Sequence, residues 1–351
     1  MKTNESKIRR ILVWTYTIII VVGGVFIFCQ VSFRPDPMLV RHEFDENGRR
    51  VSEEMVPFLP EGIVSLYNLE YRENDKDALL NVHFPGSIST TNKMLPTIVW
   101  IHGGKWVSGS KKNVANYCKL LAGKGFTVAA IDYSVAPEYP YPTPVTRANA
   151  ALDYLIKNCA FLHIDPRSII IAGDSAGAQI AAQLANIISE PTYAYAAKFN
   201  IKSALSREQL QAVLLFCGAY DLSNMKQFDL NGPDKDFLRT VFWPYTGTKN
   251  FNNDPEVASA SVARYVTPTF PPAFISVANA DPMASQSYLF ARKLIRLKVK
   301  VDTLFFPNSH KPLLPHEYQF DLNSVEGRMA LEKAVIFLSM IKNKSSIKHI
   351  P

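Results

Sequence analysis

The sequence is poor in cysteine, with 4 residues among 351. No two cysteines form a Cys-x-x-Cys pair, and none has a histidine at the spacing that zinc sites use. No strand-like segment is followed by a Gly-x-x-x-x-Gly-Lys-Ser or Gly-x-Gly-x-x-Gly phosphate-binding pattern. Basic and aromatic residues are not interleaved as they are in nucleic-acid-binding proteins. We therefore expect no metal, no organic cofactor and no nucleic-acid partner.

The composition is that of a globular protein, with 47% hydrophobic and 20% charged residues. The length suits one large α/β domain with appendages. The net charge of +7 comes partly from basic clusters near the two ends, at residues 7–10 and 342–348. These clusters are compatible with a solvated surface or with attraction to an anionic membrane. The oligomeric state is left open.

Residues 11–31 are almost uninterruptedly apolar and carry no charge. This run is about as long as a membrane-spanning helix. The basic residues in the tail 1–10 favour a cytoplasmic N-terminus, which places the rest of the chain on the extracytoplasmic side of the cell membrane. The alternative is a processed signal peptide, although bulky residues before Cys29 disfavour cleavage there. Residues 32–61 are predicted to form a stalk or linker.

Three cysteines follow the predicted span, namely Cys118, Cys159 and Cys217. Each lies in an apolar run, and three cannot all pair. We expect them to be buried and reduced.

The remainder, residues 62–345, is predicted to be one catalytic domain. It opens with two β-rich runs separated by a charged turn, typical of an antiparallel hairpin. Strand and helix patterns then alternate, which indicates an α/β fold with a mostly parallel sheet covered by helices. Residues 224–269 interrupt this alternation, and their aromatic segment 236–243 predicts a lid over the carboxyl edge of the sheet.

A Gly-x-Ser-x-Gly pattern lies between a buried strand and an apolar helix, with Ser175 at its centre. This arrangement is typical of a nucleophile elbow, in which a tight turn pushes the serine Oγ out of the sheet. The alternative is an ordinary glycine-bracketed turn. The flanking strand and helix favour the nucleophile.

A serine nucleophile needs a histidine base and an acid that orients it, and in this architecture both follow the serine in the chain. Asp281 follows a predicted strand and is favoured as the acid, with Asp221 as the weaker rival. His316 and His310 both follow the last predicted strand. His316 is favoured because the Lys311-Pro312 pair after His310 suits an exposed turn better than a buried imidazole, and His310 remains the alternative.

The negative oxygen of a tetrahedral intermediate needs backbone N–H donors. The segment His102-Gly103-Gly104-Lys105-Trp106 follows a predicted strand and is thin enough to supply them. We expect donors at Gly103, Gly104 or Lys105, together with Ala176, which follows the nucleophile.

Three motifs occur in order along the chain, namely His102-Gly103-Gly104, Asp132-Tyr133-Ser134-Val135-Ala136-Pro137-Glu138-Tyr139-Pro140-Tyr141-Pro142 and Gly173-Asp174-Ser175-Ala176-Gly177. Together they resemble those of α/β-hydrolases in the hormone-sensitive-lipase-like group of esterases and lipases. The resemblance covers residues 63–341 and implies Ser175 as nucleophile and Asp281 as acid. Lys105 departs from the pattern, because a third glycine is common at this place.

The sequence therefore predicts a membrane-anchored serine hydrolase of carboxylic esters with a small to medium acyl group. Two alternatives stay open. One is cleavage of amides or formamides by the same triad. The other is a catalytically idle adhesion or scaffold domain that keeps the fold.

Overall fold

An eight-stranded sheet forms the centre of the protein, which a computed structural model describes over residues 13–24, 37–196, 201–222, 241–248 and 254–347. The strands are β1 Ile63–Glu70, β2 Leu79–Pro85, β3 Leu95–Ile101, β4 Thr127–Ile131, β5 Ile164–Asp174, β6 Leu210–Phe216, β7 Ala273–Val277 and β8 Val301–Phe305. Their order across the sheet is β1-β2-β4-β3-β5-β6-β7-β8. Strand β2 runs antiparallel to β1 and β4, and every other pair is parallel. The predicted hairpin and mostly parallel sheet are confirmed.

Helices precede, connect and follow these strands, and several of them cover the sheet. They are α1 (residues 13–24), α2 Pro37–Glu54, α3 Lys111–Gly123, α4 Thr143–Lys157, α5 Ala176–Ser189, α6 Pro191–Ala196, α7 Trp243–Thr246, α8 Pro255–Ala260, α9 Ala284–Arg296 and α10 Val325–Ile347. Side chains alternate between the two faces of a strand. In β3, Ile98 and Trp100 pack with α3 and α10, whereas Val99 and Ile101 pack on the side of α4, α5 and α9.

Helix α2 corrects the prediction of a stalk at residues 32–61. It packs against α3, and its Arg41 reaches the loop after β3. The Arg41 guanidinium donates to the carbonyl oxygens of Val107 (2.7 Å) and Ala136 (2.8 Å) and pairs with the carboxylate of Glu138. Residues 44, 48 and 51 of α2, and Met55 directly after it, are spaced so that they lie on one face of a helix. This face is the least exposed side of α2, and the spacing is a weak signal of it in the sequence.

The predicted membrane span at residues 11–31 is described only over α1. Its other residues, 11–12 and 25–31, lie outside the described part of the chain. Across the described ranges, no helix combines the length and apolar character that a bilayer crossing requires.

The predicted lid, residues 224–269, is described over 241–248 and 254–269. Residues 236–240 of the predicted aromatic helix lie outside the described ranges. Phe242 and Tyr245 of this segment are fully buried. The Tyr245 carbonyl accepts a hydrogen bond from the N–H of Tyr141 (2.7 Å), which fixes the segment to the loop before α4.

Candidate active site

The turn between β5 and α5 places Ser175 at the carboxyl edge of the sheet. Ser175 has a φ of 52°, a region that residues other than glycine rarely adopt. Glycine is needed on both sides. A Cβ at Gly173 would lie 2.5 Å from the backbone of Gly177, and a Cβ at Gly177 would lie closer than 3.0 Å to the carbonyl oxygen of Ile101. This close approach lets α5 pack directly behind the serine.

His316 lies between Ser175 and Asp281, which come from two other loops. Its Nε2 is 2.9 Å from the Oγ of Ser175, and its Nδ1 is 2.6 Å from the Oδ2 of Asp281. The chemistry of the neighbours sets the tautomer, with Nδ1–H donating to the carboxylate and Nε2 accepting from the hydroxyl. The other oxygen of Asp281 accepts from the N–H of Met283 (2.7 Å). The structure thus brings the three predicted residues together in one chain of hydrogen bonds.

The two rival residues lie in other contacts. The carboxylate of Asp221 pairs with Arg264 at 3.4 Å. The Nε2 of His310 is 2.9 Å from the Oε1 of Glu326. Neither residue is in this chain of hydrogen bonds.

Tyr318, two positions after His316, anchors the loop that carries the histidine. It is 2% exposed, and its hydroxyl is 2.6 Å from the Oγ of Ser276 on β7. Its ring packs edge-on against Phe306 at 5.3 Å. These contacts hold His316 over the carboxyl edge of the sheet.

The loop after β3 supplies backbone N–H groups beside Ser175. Among the described residues, the N–H groups of Gly104 and Ala176 have no hydrogen-bond acceptor. Gly104 has a φ of 123°, and a Cβ there would lie closer than 3.0 Å to the backbone of Ser108. Glycine is therefore required at this position.

Lys105 does not direct its side chain into the loop. Its ammonium lies 5.4 Å from the centre of the Phe44 ring on α2.

Gly103 is among the predicted oxyanion donors, but its N–H already has an acceptor. Its N–H donates to the Oδ2 of Asp174 (2.8 Å), so it does not serve as an oxyanion donor in this conformation. The Oδ1 of Asp174 accepts from the indole N–H of Trp100 (2.7 Å). Asp174, the residue before the nucleophile, therefore fixes the oxyanion loop from beneath. The sequence alone does not assign Asp174 this role, although its place in the elbow pattern is a signal.

Cys217, which directly follows β6, is a neighbour of the triad that the sequence did not indicate. Its sulfur, a nitrogen of His316 and an oxygen of Asp281 lie within 4.8 Å of one another. Burial raises the pKa of Cys217 to about 11, so the sulfur is a neutral thiol at pH 7. Because both nitrogens of His316 already bond Ser175 and Asp281, the arrangement fits a triad better than a metal centre. Of the other cysteines, Cys118 is buried as predicted, whereas Cys159 is only half-buried, and all three are free.

The pKa of His316 is raised above its ordinary value. Burial opposes the imidazolium, but the adjacent Cys217 and Asp281 favour it. Since Cys217 is a neutral thiol, we assign the upward direction to the Asp281 carboxylate. This carboxylate orients the histidine and favours its protonated form.

Gln179 on α5 ties the described part of the predicted lid to the oxyanion loop. Its Oε1 accepts from the indole N–H of Trp106 (3.0 Å) and from the hydroxyl of Tyr245 (3.4 Å). Its Nε2 donates to the Oε1 of Gln183 (2.9 Å) and to the carbonyl of Ala260 (3.0 Å). The Trp106 and Tyr245 rings stack with their centres 4.7 Å apart. One buried amide thus holds several separate segments beside the nucleophile.

Comparison with known proteins shows that the sequence is similar to a family model and to several esterases. Residues 80–294 match the BD-FAE family. The chain is 28% identical to the carboxylesterase NlhH of Mycobacterium tuberculosis over 233 residues, which covers 64% of this chain and 66% of NlhH. It is 26% identical to an esterase of Gibberella moniliformis over 62% of this chain and 67% of that protein. The chain thus spans about two thirds of the length of these curated relatives.

The fold matches a solved structure over nearly its whole length. An inhibited esterase B from Lactobacillus rhamnosis superposes with a TM-score of 0.76 at 19% identity, covering 90% of this chain and 99% of that one. This likeness confirms the α/β-hydrolase fold. Together with the relatives, it supports the predicted resemblance to hormone-sensitive-lipase-like esterases and the predicted enzyme class, a carboxylic ester hydrolase.

Proposed function

Because the chain belongs to the BD-FAE family, we propose that it is a serine hydrolase of carboxylic esters, with Ser175 as nucleophile, His316 as general base and Asp281 as the acid that orients the base. The observation that carries the proposal is the position of His316, 2.9 Å from the serine hydroxyl and 2.6 Å from the carboxylate. Both distances are within the range of hydrogen bonds.

The geometry supports two acyl-transfer steps. In the first, the Oγ of Ser175 attacks the ester carbonyl carbon while Nε2 of His316 takes its proton. The carbonyl oxygen gains a negative charge, which the N–H groups of Gly104 and Ala176 stabilise. The intermediate collapses, and His316 passes the proton to the departing alcohol. Water then attacks the acyl-serine by the same route and releases the acid.

The acyl group is proposed to be small to medium in size. Trp106, Phe242 and Tyr245 lie next to the oxyanion loop, and their exposed fractions are 2%, 0% and 0%. The Trp106 ring also packs against Phe242 with 5.3 Å between centres. Such a packed aromatic group leaves little room for a long acyl chain without rearrangement.

A fluorophosphonate probe and a panel of p-nitrophenyl esters with graded acyl length test the proposal. The wild-type protein should react with the probe and turn over the shorter esters best. Ser175→Ala should lose both properties with an unchanged circular dichroism spectrum, because only the covalent step is removed. Ser89→Ala, at an exposed serine after β2, is the matched control.

Three outcomes would contradict this proposal. Turnover that persists in Ser175→Ala excludes this serine as nucleophile. Faster cleavage of matched anilides than of esters would favour the alternative amide hydrolase. A wild-type protein that neither reacts with the probe nor cleaves any substrate would favour an idle scaffold.

We also propose that residues 11–31 anchor the enzyme in the cell membrane with the catalytic domain on the extracytoplasmic side. The apolar sequence of this run supports the proposal, as does the exposure of large apolar side chains along α1, such as Trp14 (68%) and Ile20 (68%). Protease added to intact spheroplasts of an expressing bacterium should digest the domain. Full protection of the domain would contradict this topology, and a soluble mature form starting after Val31 would favour a cleaved signal peptide.

A further inference from the structure

Glu317, which directly follows His316, occupies a backbone conformation that suits glycine. Its φ is 61°, in the left-handed region that side chains other than those of asparagine and aspartate rarely adopt. A strained residue beside a reacting group is a common sign of a functional constraint. The geometry of the loop alone would favour glycine here, so the glutamate side chain is expected to have a function.

The carboxyl group of Glu317 meets that of Asp174 beneath the oxyanion loop. The Oδ2 of Asp174 and the Oε1 of Glu317 would both lie within 2.7 Å of a Cβ built at Gly103, so the two oxygens converge on one point. The Oε1 of Glu317 is buried and has no hydrogen-bond donor within the described part of the chain. Both oxygens of Asp174, in contrast, accept from the N–H groups of Trp100 and Gly103.

The two carboxyl groups can satisfy each other only if they share a proton. Two adjacent buried carboxylates repel strongly, and a proton between them removes the repulsion and supplies the missing donor. Burial, followed by the nearby charge of Glu317, raises the pKa of Asp174 well above its ordinary value. We place the shared proton on Asp174, so that its carboxyl group donates a hydrogen bond to the Glu317 carboxylate.

The Glu317 carboxylate lies close to His316, the proposed base of the triad. The Oε1 of Glu317 is 3.8 Å from the Nε2 of His316, the nitrogen that receives the serine proton. When Ser175 attacks, the ring becomes an imidazolium, and a carboxylate at this distance stabilises the positive charge. Asp281 acts on the opposite nitrogen, so the ring has a carboxylate near each of its nitrogens.

We propose that Glu317 is a positioning residue of the hydrolase: its carboxylate, held by the protonated carboxyl group of Asp174, stabilises the imidazolium form of His316 during acyl transfer. The inference rests on the proposed function of Ser175 and His316. It adds a second carboxylate to the one at Asp281 and gives Asp174 a role as the donor that fixes it.

The groups around the pair do not change their charge near neutral pH. Helix α2 presents Phe44, Asn47, Gly48 and Val51 to the cavity beside the pair, and none of these side chains titrates. Burial raises the pKa of Tyr117, Cys118, Tyr133 and Cys217, and it lowers the pKa of His102. Asp281 faces His316 from the loop after β7 and holds its Nδ1. A pH profile near neutrality therefore reports on His316.

The test is the pH dependence of kcat/KM for p-nitrophenyl butyrate in the full-length protein and its Glu317→Gln variant. Loss of the carboxylate should lower the pKa of His316, since the positive form loses a stabilising neighbour. The acid limb should therefore move to lower pH by about one unit, because a charge within about 4 to 6 Å shifts a pKa by one unit or more. The plateau of kcat should fall by about tenfold with little change in KM, as expected for an interaction made in the transition state.

Two further variants separate this role from a structural one. Glu317→Gly relieves the left-handed strain, so we expect a melting temperature equal to or above that of the wild type, with the same shift of the acid limb. Glu326→Gln removes the carboxylate beside the other loop histidine, His310, and should leave the profile in place.

The outcomes separate the two proposals. If the wild type is active and Ser175 is required, superimposable acid limbs in Glu317→Gln and the wild type overturn this inference alone. A lower kcat in Glu317→Gln with an unmoved acid limb also overturns it, since a merely structural role would give that result. An inactive wild-type protein overturns the proposed function and this inference with it.

Discussion

Gly104 in the oxyanion loop offers a sharp test of where the negative oxygen binds. An alanine Cβ at this position would lie closer than 3.0 Å to two backbone atoms of Ser108 and 3.0 Å from the backbone nitrogen of Gly109. Backbone atoms cannot rotate away as a side chain can. Gly104→Ala must therefore displace the loop, and its N–H moves with it.

The expected loss follows from what one oxyanion donor contributes. Removal of a single donor typically costs about 3 to 4 kcal/mol of transition-state stabilisation, or about 100-fold to 1000-fold in kcat. The φ of 123° also disfavours any side chain, so the free energy of unfolding should fall as well. We expect kcat for p-nitrophenyl butyrate to fall by about 100-fold or more while the protein still folds.

Gly125→Ala is the matched control for backbone strain. Gly125 has a φ of 92°, and a Cβ there would meet no atom within 4 Å. This variant should lose about 1 to 2 kcal/mol of stability through its left-handed backbone and keep its kcat. The measurements are steady-state kinetics and thermal unfolding followed by circular dichroism. A folded Gly104→Ala protein with kcat within about tenfold of wild type would refute the placement of the oxyanion at this loop.

His316→Ala should lose activity by several orders of magnitude in steady-state assays, whereas His310→Ala should stay within a modest factor of wild type, since its ring contacts Glu326. The reverse result would move the base to His310. Because His316 must be neutral to accept the serine proton and its pKa is raised, kcat/KM should increase with pH through a midpoint above 6.5, and a midpoint below that value would contradict the assignment to Asp281. Arg41→Ala should lower the free energy of unfolding by about 1 to 3 kcal/mol in urea titrations, because buried acceptors lose their donor. Arg49 lies on the same helix and pairs only with Glu46 among the described residues, so Arg49→Ala should change the free energy of unfolding by less than about 0.5 kcal/mol. Equal losses in the two variants would argue against a stabilising role of the Arg41 contacts.

The elements that carry the sheet could be predicted because their local pattern and their tertiary setting agree. The strand at Ala273–Val277, for example, is a short apolar run between turn residues, and this local pattern matches its place in the sheet. The chain order of serine, acid and histidine follows from the elbow and from where strands end. Asp281 and His316 could therefore be selected before any distance was known.

Other features depend on contacts that no local pattern encodes. Helix α2 is polar over most of its surface and is held by Arg41, whose acceptors lie far away in the chain. The N–H of Gly103 is bonded to Asp174, which lies 71 positions later in the chain. Whether a loop N–H is free to bind a ligand therefore cannot be predicted without knowing its acceptors. Glu317 likewise looks like a solvated residue in the sequence, and only its neighbours reveal the carboxyl pair.

The amide of Gln179 has a consequence for how this enzyme can be redesigned or can diverge. It bonds the side chains of Trp106, Gln183 and Tyr245 and the backbone carbonyl of Ala260, so replacing any one of these three side chains removes one of its buried hydrogen bonds. Substitutions at these positions should be strongly epistatic, because the effect of each depends on the state of the shared amide. A library that varies position 106 alone removes the Trp106 hydrogen bond in every variant whose new side chain cannot donate one. One that varies positions 106, 179 and 245 together can replace the whole network, and new acyl specificities are most accessible by that route.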